Sequence, residues 1–412
     1  MYTGLLVIIY LSFISLGLPD SLLGSAWPSM SADMGVPLSY AGILSMTIAG
    51  CTIISSFLSD RIIRRLGTGL VTALSVSLTA FALLGVALSP GFWWLCVIAV
   101  PLGLGAGSVD TALNNFVALH YKARHMNWLH CFWGVGATLG PVIMSLFLKN
   151  ANGWKMGYGT IGLVQAVLVA ALFLSLPLWK KAAAEHASSA SEIHQPRMPL
   201  REVLKISGVK SALLAFFFYC ALEATTGLWG SSYMVSVKGF SAEEAARWIS
   251  MFYLGITAGR LICGFLSIKL DNKKMIRIGE IIMGAGLAFI FLPAGGWFLQ
   301  FGFMLLGLGC APVFPGMLHE TPVRFGKGIS QTMVGLQMGF AYIGSTFMPA
   351  LFGAISQNAD ISLFPYYLLA ALALMVFTAE NVSRIMRRKA HAAASSGAGQ
   401  SGIQEAQPEN EL

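Results

Sequence analysis

Charge is what this sequence has least of. Only 11% of its 412 residues are Asp, Glu, Lys or Arg, against about 25% in soluble domains. Hydrophobic residues make up 56%, and mean hydropathy is +0.71. Too little polar surface remains to cover a water-soluble core, which excludes a soluble enzyme, a disulfide scaffold, a coiled coil and a disordered chain. Cysteine is also scarce. Cys51, Cys96, Cys131, Cys220, Cys263 and Cys310 lie singly in apolar stretches, without metal-ligand spacing, and read as small core hydrophobes. No Walker phosphate loop, HExxH or CxxC pair occurs, so neither ATP-driven nor metal chemistry has residues to rest on. Gly103-x-Gly105-x-x-Ser108 follows no strand and is no dinucleotide fingerprint. No metal and no cofactor is expected. The N-terminus lacks a basic region ahead of its apolar run, which continues past Pro19 as a retained first helix.

What is present is a series of apolar runs. A bilayer-spanning helix needs about 20 mostly apolar residues. Twelve candidates follow one another at 4–28, 37–58, 68–89, 93–118, 127–148, 156–179, 208–235, 246–268, 275–293, 297–318, 329–352 and 362–383. With the N-terminus inside, 21 of the 26 Lys and Arg fall in inner loops and four in outer loops; Arg260 falls within a span. That asymmetry supports twelve spans with both termini cytoplasmic in a plasma membrane, the bacterial inner membrane being the expected one. The +8 net charge is therefore a loop property and gives no reason to expect nucleic acid. Residues 1–179 and 208–385 form two six-span units, 180–207 a polar cytoplasmic linker, and 386–412 a tail whose composition predicts disorder. The units repeat in parallel. Gly103-Leu-Gly105 matches Gly307-Leu-Gly309, Gly136 matches Gly344, Pro141 matches Pro349, and Asp20-xxx-Gly24 matches Glu223-xxx-Gly227. The expected fold is all-α, with two six-helix bundles related by a pseudo-two-fold axis along the membrane normal.

A charged residue inside a span is costly and marks a site by default. Asp20, Asp110 and Glu223 lie well inside spans 1, 4 and 7. Burial favours a neutral acid and hydration an ionised one, which suits proton coupling; holding helices together is the alternative role. Arg260 is either a charge partner for one of these acids or a snorkelling residue near the inner face. Glu280 and Glu320 lie near inner span ends and read as interfacial. His130 is either a ligand or proton contact or a structural histidine. Asn114, one turn after Asp110, either holds a solute hydroxyl or joins helices; Gln331 and Gln337 pose the same question. Trp27, Trp133, Trp229, Phe314 and Tyr342 are candidates to stack on a solute, with packing as the alternative.

The loop Ser56-Phe-Leu-Ser-Asp60-Arg61-Ile-Ile-Arg64-Arg65 resembles the G-x-L-x-D-R-x-G-R-R signature of major facilitator proteins, with Ser56 and Ile63 replacing two glycines. The resemblance implies that Asp60, Arg61, Arg64 and Arg65 latch the two halves on the cytoplasmic side. The repeat carries Ile268 where the acid would stand, so the latch is one-sided. Gly105-Ala-Gly-Ser-Val-Asp110-Thr-Ala-Leu-Asn114, Asn127-Trp-Leu-His130-Cys-Phe-Trp133-Gly, Tyr219-Cys-Ala-Leu-Glu223 and Gly259-Arg260 resemble the fucose:proton symporter family. That resemblance implies a midplane site between the halves and proton coupling at Asp110. His130 stands where that family has a glutamine near the sugar, and Glu223 where it has glutamine, which points to another solute, glucose, mannose or one unrelated to sugars.

The reading is a secondary transporter, not an enzyme, that alternates access around a midplane site. Its proposed partners are a sugar-type solute, a proton (sodium being the alternative ion) and the bilayer, and a monomer suffices. A drug/proton antiporter of the same fold and a non-transporting membrane sensor are the alternatives.

Overall fold

The computed structural model describes residues 3–120, 123–179, 181, 200–267, 269–292 and 296–404. Among these no strand occurs. The first span is broken into α1 (Thr3–Asp20) and α2 (Leu22–Met34). Pro19 lacks the N–H that would bond the Ser15 carbonyl and its ring crowds that carbonyl; Gln165 Nε2 donates to it instead. The first half continues with α3 (Tyr40–Leu66), α4 (Thr68–Ala87), α5 (Phe92–His120), α6 (Ala123–Phe147) and α7 (Gly153–Leu174). A short α8 (Leu200–Lys205) lies in the linker, most of which falls outside the described residues. The second half comprises α9 (Val209–Ser236), α10 (Ala242–Leu266), α11 (Asn272–Phe291), α12 (Trp297–Cys310) with α13 (Val313–Phe325), α14 (Lys327–Asn358) and α15 (Phe364–Gln404). The tenth span is broken like the first, at Ala311 and Pro312. The Cys310 carbonyl at the end of α12 accepts the Tyr219 hydroxyl at 3.0 Å.

Eleven stretches among the described residues are long and apolar enough to cross a bilayer. The twelfth expected span is α11, whose first turns carry Lys273, Lys274, Arg277 and Glu280, so composition marks it more weakly than its neighbours. The last helix departs from expectation. It is helical to Gln404, so residues 386–404 prolong the last span as helix where composition predicted disorder. Their alanines have the strongest intrinsic helix preference of any residue. Residues 405–412 lie outside the described ones.

The repeat is structural. Gly103 packs on the Ile48 carbonyl as Gly307 packs on that of Phe252, and Gly105 on that of Ser75 as Gly309 on that of Gly279. In both cases each partner shifts by 204 residues. Gly136 on Ile14 is likewise repeated by Gly344 on Phe217. Small residues at these crossings let backbones approach where no hydrophobic effect drives helices together. The halves meet through α6 on α10, α3 on α14 and α2 on α9. The pseudo-two-fold exchanges the first two pairs, and the third lies near the axis.

The contacts that tie the halves together gather toward one end. Gly24 backs onto the Gly227 carbonyl and Gly42 onto Ala350. Ser39 Oγ donates to Gln357 Oε1 at 2.5 Å, and Lys149 pairs with Glu243 at 3.2 Å. The basic residues lie at the other end, where Arg61 and Arg65 are exposed.

Candidate functional site

A cavity of about 440 Å³ lies between the halves at mid-depth, on the basic-end side of the Gly24–Gly227 contact. The first half contributes Pro19, Asp20, Leu23, Ser45, Ile48, Thr52, Leu102, Ala106 and Trp133. The second contributes Cys220, Glu223, Leu228, Tyr253, Tyr342 and Ser345. Asp20 and Glu223 stand four residues before the glycines that meet across the axis. The repeat therefore presents one carboxylate from each half to the same space.

Asp20 is the last residue of α1, where the helix breaks, and its side chain is exposed to the cavity. Its Oδ2 accepts the Trp133 indole N–H at 2.7 Å, the length of a charge-assisted bond. The Arg260 guanidinium lies 5.1 Å from the centroid of the same indole. Trp133 thus touches an acid of the first half on its edge and a cation of the second half on its face. Arg260 is half-buried. It forms no ion pair within 4.0 Å among the described residues. Glu223 is half-buried on α9.

Asp110 is half-buried on α5, close enough to Asp20 and Tyr342 to act on both electrostatically. It is not in the cavity wall, although Ala106 one turn earlier is. Asn114 Nδ2 donates to the Asp110 carboxylate at 2.9 Å and to its carbonyl at 3.0 Å. Its amide holds Asp110 rather than facing the cavity. His130 is exposed, meets the edge of Phe13 at 5.9 Å and lies outside the cavity wall.

Several candidate contact residues are packed or hydrogen-bonded within their own bundle. Trp229 is fully buried, donates to the Pro349 carbonyl at 2.8 Å and packs on Phe352. Trp27 is fully buried and donates to the Leu38 carbonyl at 2.7 Å. Phe314 packs on Phe216 and Tyr219 within the second half. Gln337 is buried and accepts the Thr321 hydroxyl at 2.9 Å. Glu280 and Glu320 are buried against the second bundle, and Glu320 pairs with Arg324 at 3.0 Å. Apart from Glu280, whose Oε1 has no hydrogen-bond partner among the described residues, each of these interior polar groups or rings has a partner in its own bundle, since a lone polar atom in the membrane interior is costly. The side chains of Asp60, Arg64 and Gln331 lie outside the described residues.

Tyr253 was missed. It lines the cavity, its hydroxyl abuts Gly227, and it precedes Arg260 by seven residues. That spacing, two helical turns, places both on one face and was a readable signal.

The sequence matches the Major Facilitator Superfamily over residues 9–248 and again over 212–405. The chain belongs to that superfamily. It is a transporter, not an enzyme, and a multi-pass membrane protein. It is 26% identical over 317 residues to the glucose/mannose transporter GlcP of Bacillus subtilis, covering 74% of this chain and 76% of that protein. A bacterial homologue of the human lysosomal transporter Spinster, solved in an inward-facing and occupied conformation, superposes with a TM-score of 0.72 at 13% identity. The match covers 94% of this chain and 97% of that one. A D-xylose–proton symporter superposes with a TM-score of 0.71 at 12% identity, covering 92% and 96%. These likenesses show the major facilitator fold.

Proposed function

We propose that this chain is a proton-coupled symporter of a hexose-type sugar, working by alternating access. One observation carries the reading: Asp20 and Glu223, matched by the repeat, face one cavity from opposite halves, with the Trp133 indole bonded to Asp20. A cavity of about 440 Å³ is in the range of small-molecule sites. The similarity to a glucose/mannose transporter supports a sugar, and the fold likeness to a D-xylose–proton symporter is consistent with a proton as the coupling ion.

In this account the basic end faces the cytoplasm and both termini lie there, in a bacterial inner membrane. The contacts at Gly24, Gly42, Ser39 and Lys149 then close the outer side, so the conformation is inward-facing. Asp20 and Glu223 exchange protons with the cavity, and Asp110, held by Asn114, acts on them from the wall behind. Trp133, Tyr342 and Tyr253 contact the solute. Asp60, Arg61, Arg64 and Arg65 latch the inner side in the opposite state. A solute or proton shifts the two states only by its different affinity for each, and a monomer is sufficient.

The aliphatic share of the lining, with Pro19, Leu23, Ile48, Leu102 and Leu228, favours one second reading, a drug/proton antiporter. Proteoliposomes loaded with a pH dye separate the two. Hexose-dependent acidification of the lumen supports symport. Silence to every hexose with proton movement driven by cationic drugs refutes it.

A further inference from the structure

We infer that Arg260, seated on the Trp133 ring, is the recognition point for a carboxylate on the transported solute. The cavity on this view binds a sugar acid of hexuronate size in preference to a neutral hexose. The inference rests on the transport reading above and narrows its substrate class.

A guanidinium carries five N–H donors in a fixed fork that matches a carboxylate. At membrane depth an unpaired charge is costly and is normally paired. Arg260 departs from that pattern. Its contact with the Trp133 ring face uses the charge and, among the described residues, leaves the N–H fork without an acceptor. Among the described residues no oxygen lies within ion-pair reach of it. The buried cation Arg324 of the second half behaves differently and is bound to Glu320. A ring contact with no protein acceptor leaves a cation available to a ligand.

The seat places that cation beside the cavity. Trp133 is in the cavity wall and Arg260, which is not, lies 5.1 Å from its ring centroid, so the indole is the point where a solute would approach the guanidinium. The charge of the other wall groups limits what the ligand can be. Asp20 and Glu223 face the same space and repel a second negative charge while ionised. A carboxylate brings one charge and pairs bidentately with Arg260; a phosphate ester brings nearly two. The hydroxyls of Ser45, Thr52, Tyr253, Tyr342 and Ser345 supply donors and acceptors for the remaining hydroxyl groups of a sugar.

The test measures binding of glucose, glucuronate and glucose 6-phosphate to the purified full-length protein by titration calorimetry, with proton flux recorded in parallel proteoliposomes. Wild-type protein is expected to prefer glucuronate to glucose by about tenfold or more, the effect of one charge-assisted pair. Arg260→Gln is expected to reduce that ratio to near one, and Arg260→Lys, which keeps the charge without the fork, to an intermediate value. A thermal-shift measurement checks that each variant is folded. If Arg260→Gln does not fold, the wild-type preference itself decides. Equal or weaker binding of glucuronate overturns the inference, as does a preference unchanged in Arg260→Gln or a stronger preference for glucose 6-phosphate. Glucose-driven proton flux without a glucuronate preference overturns this inference and leaves the transport reading standing. An Arg260-dependent glucuronate preference without proton flux does the reverse.

Discussion

Replacing Trp133 by Phe removes one atom group with a defined partner. The indole N–H reaches Asp20 Oδ2 at 2.7 Å, while the ring also carries the Arg260 contact at 5.1 Å. Phe keeps an aromatic ring under Arg260, smaller than the indole, and removes the donor. A hydrogen bond to an ionised group contributes about 1.5–3 kcal/mol, and 1.4 kcal/mol is a factor of ten. If the bond orients the Asp20 carboxylate for proton exchange, Trp133→Phe lowers the initial rate of hexose-dependent lumen acidification about 10- to 100-fold. The direct check is a double-mutant cycle with Asp20→Asn in proteoliposomes, each variant normalised to the amount of folded protein. The two substitutions act on one bond, so their effects fall short of additivity by about 1–2 kcal/mol. Additive effects within about 0.3 kcal/mol, or a Trp133→Phe protein indistinguishable from wild type, refute the reasoning.

Other expectations follow from the same contacts. A Cβ on Gly42 would lie 3.3 Å from that of Ala350, close to the separation of about 3.8 Å in a disulfide. Gly42→Cys with Ala350→Cys should therefore cross-link the outer end on oxidation and stop transport reversibly, whereas full flux in cross-linked protein contradicts alternating access. Trp229→Phe leaves the buried Pro349 carbonyl without its 2.8 Å donor. It should cost about 1–3 kcal/mol of stability, seen as a lowered Tm, while solute affinity stays within about twofold; a selective loss of affinity would return Trp229 to the site. Asn114→Ala should reduce proton-coupled flux with little change in solute affinity, because its amide serves Asp110. A rise in Kd matching the fall in flux would make it a solute contact.

The parts of this architecture that sequence makes legible are those written in chemistry that lipid forbids elsewhere. Asp20 and Glu223 stood out because carboxylates interrupt apolar runs, and the structure brings both to one cavity. Gly103 and Gly307 revealed the repeat because only a residue without a side chain fits those crossings. What stayed hidden was direction. Apolar periodicity is weak in a helix surrounded by protein and lipid, so nothing in the runs told which ring faced the cavity. Trp133 faces it, whereas Trp229 and Trp27 use their N–H groups on neighbouring carbonyls. Asn114 was read as sharing a face with Asp110, which is correct, and that proximity is why its amide turns back to the carboxylate. Gln337 and Phe314 are consumed inside their own bundle. Residues 386–404, read from composition as a disordered tail, are helical to Gln404, in keeping with the helix preference of their alanines.

The central claim is that Asp20 and Glu223 carry the coupled proton. The measurement that tests it most directly is hexose-dependent acidification of dye-loaded proteoliposomes for wild type, Asp20→Asn and Glu223→Gln, with hexose counterflow recorded on the same preparations. The account predicts acidification in wild type and its loss in at least one variant that still exchanges hexose. Acidification at the wild-type rate in both variants contradicts it.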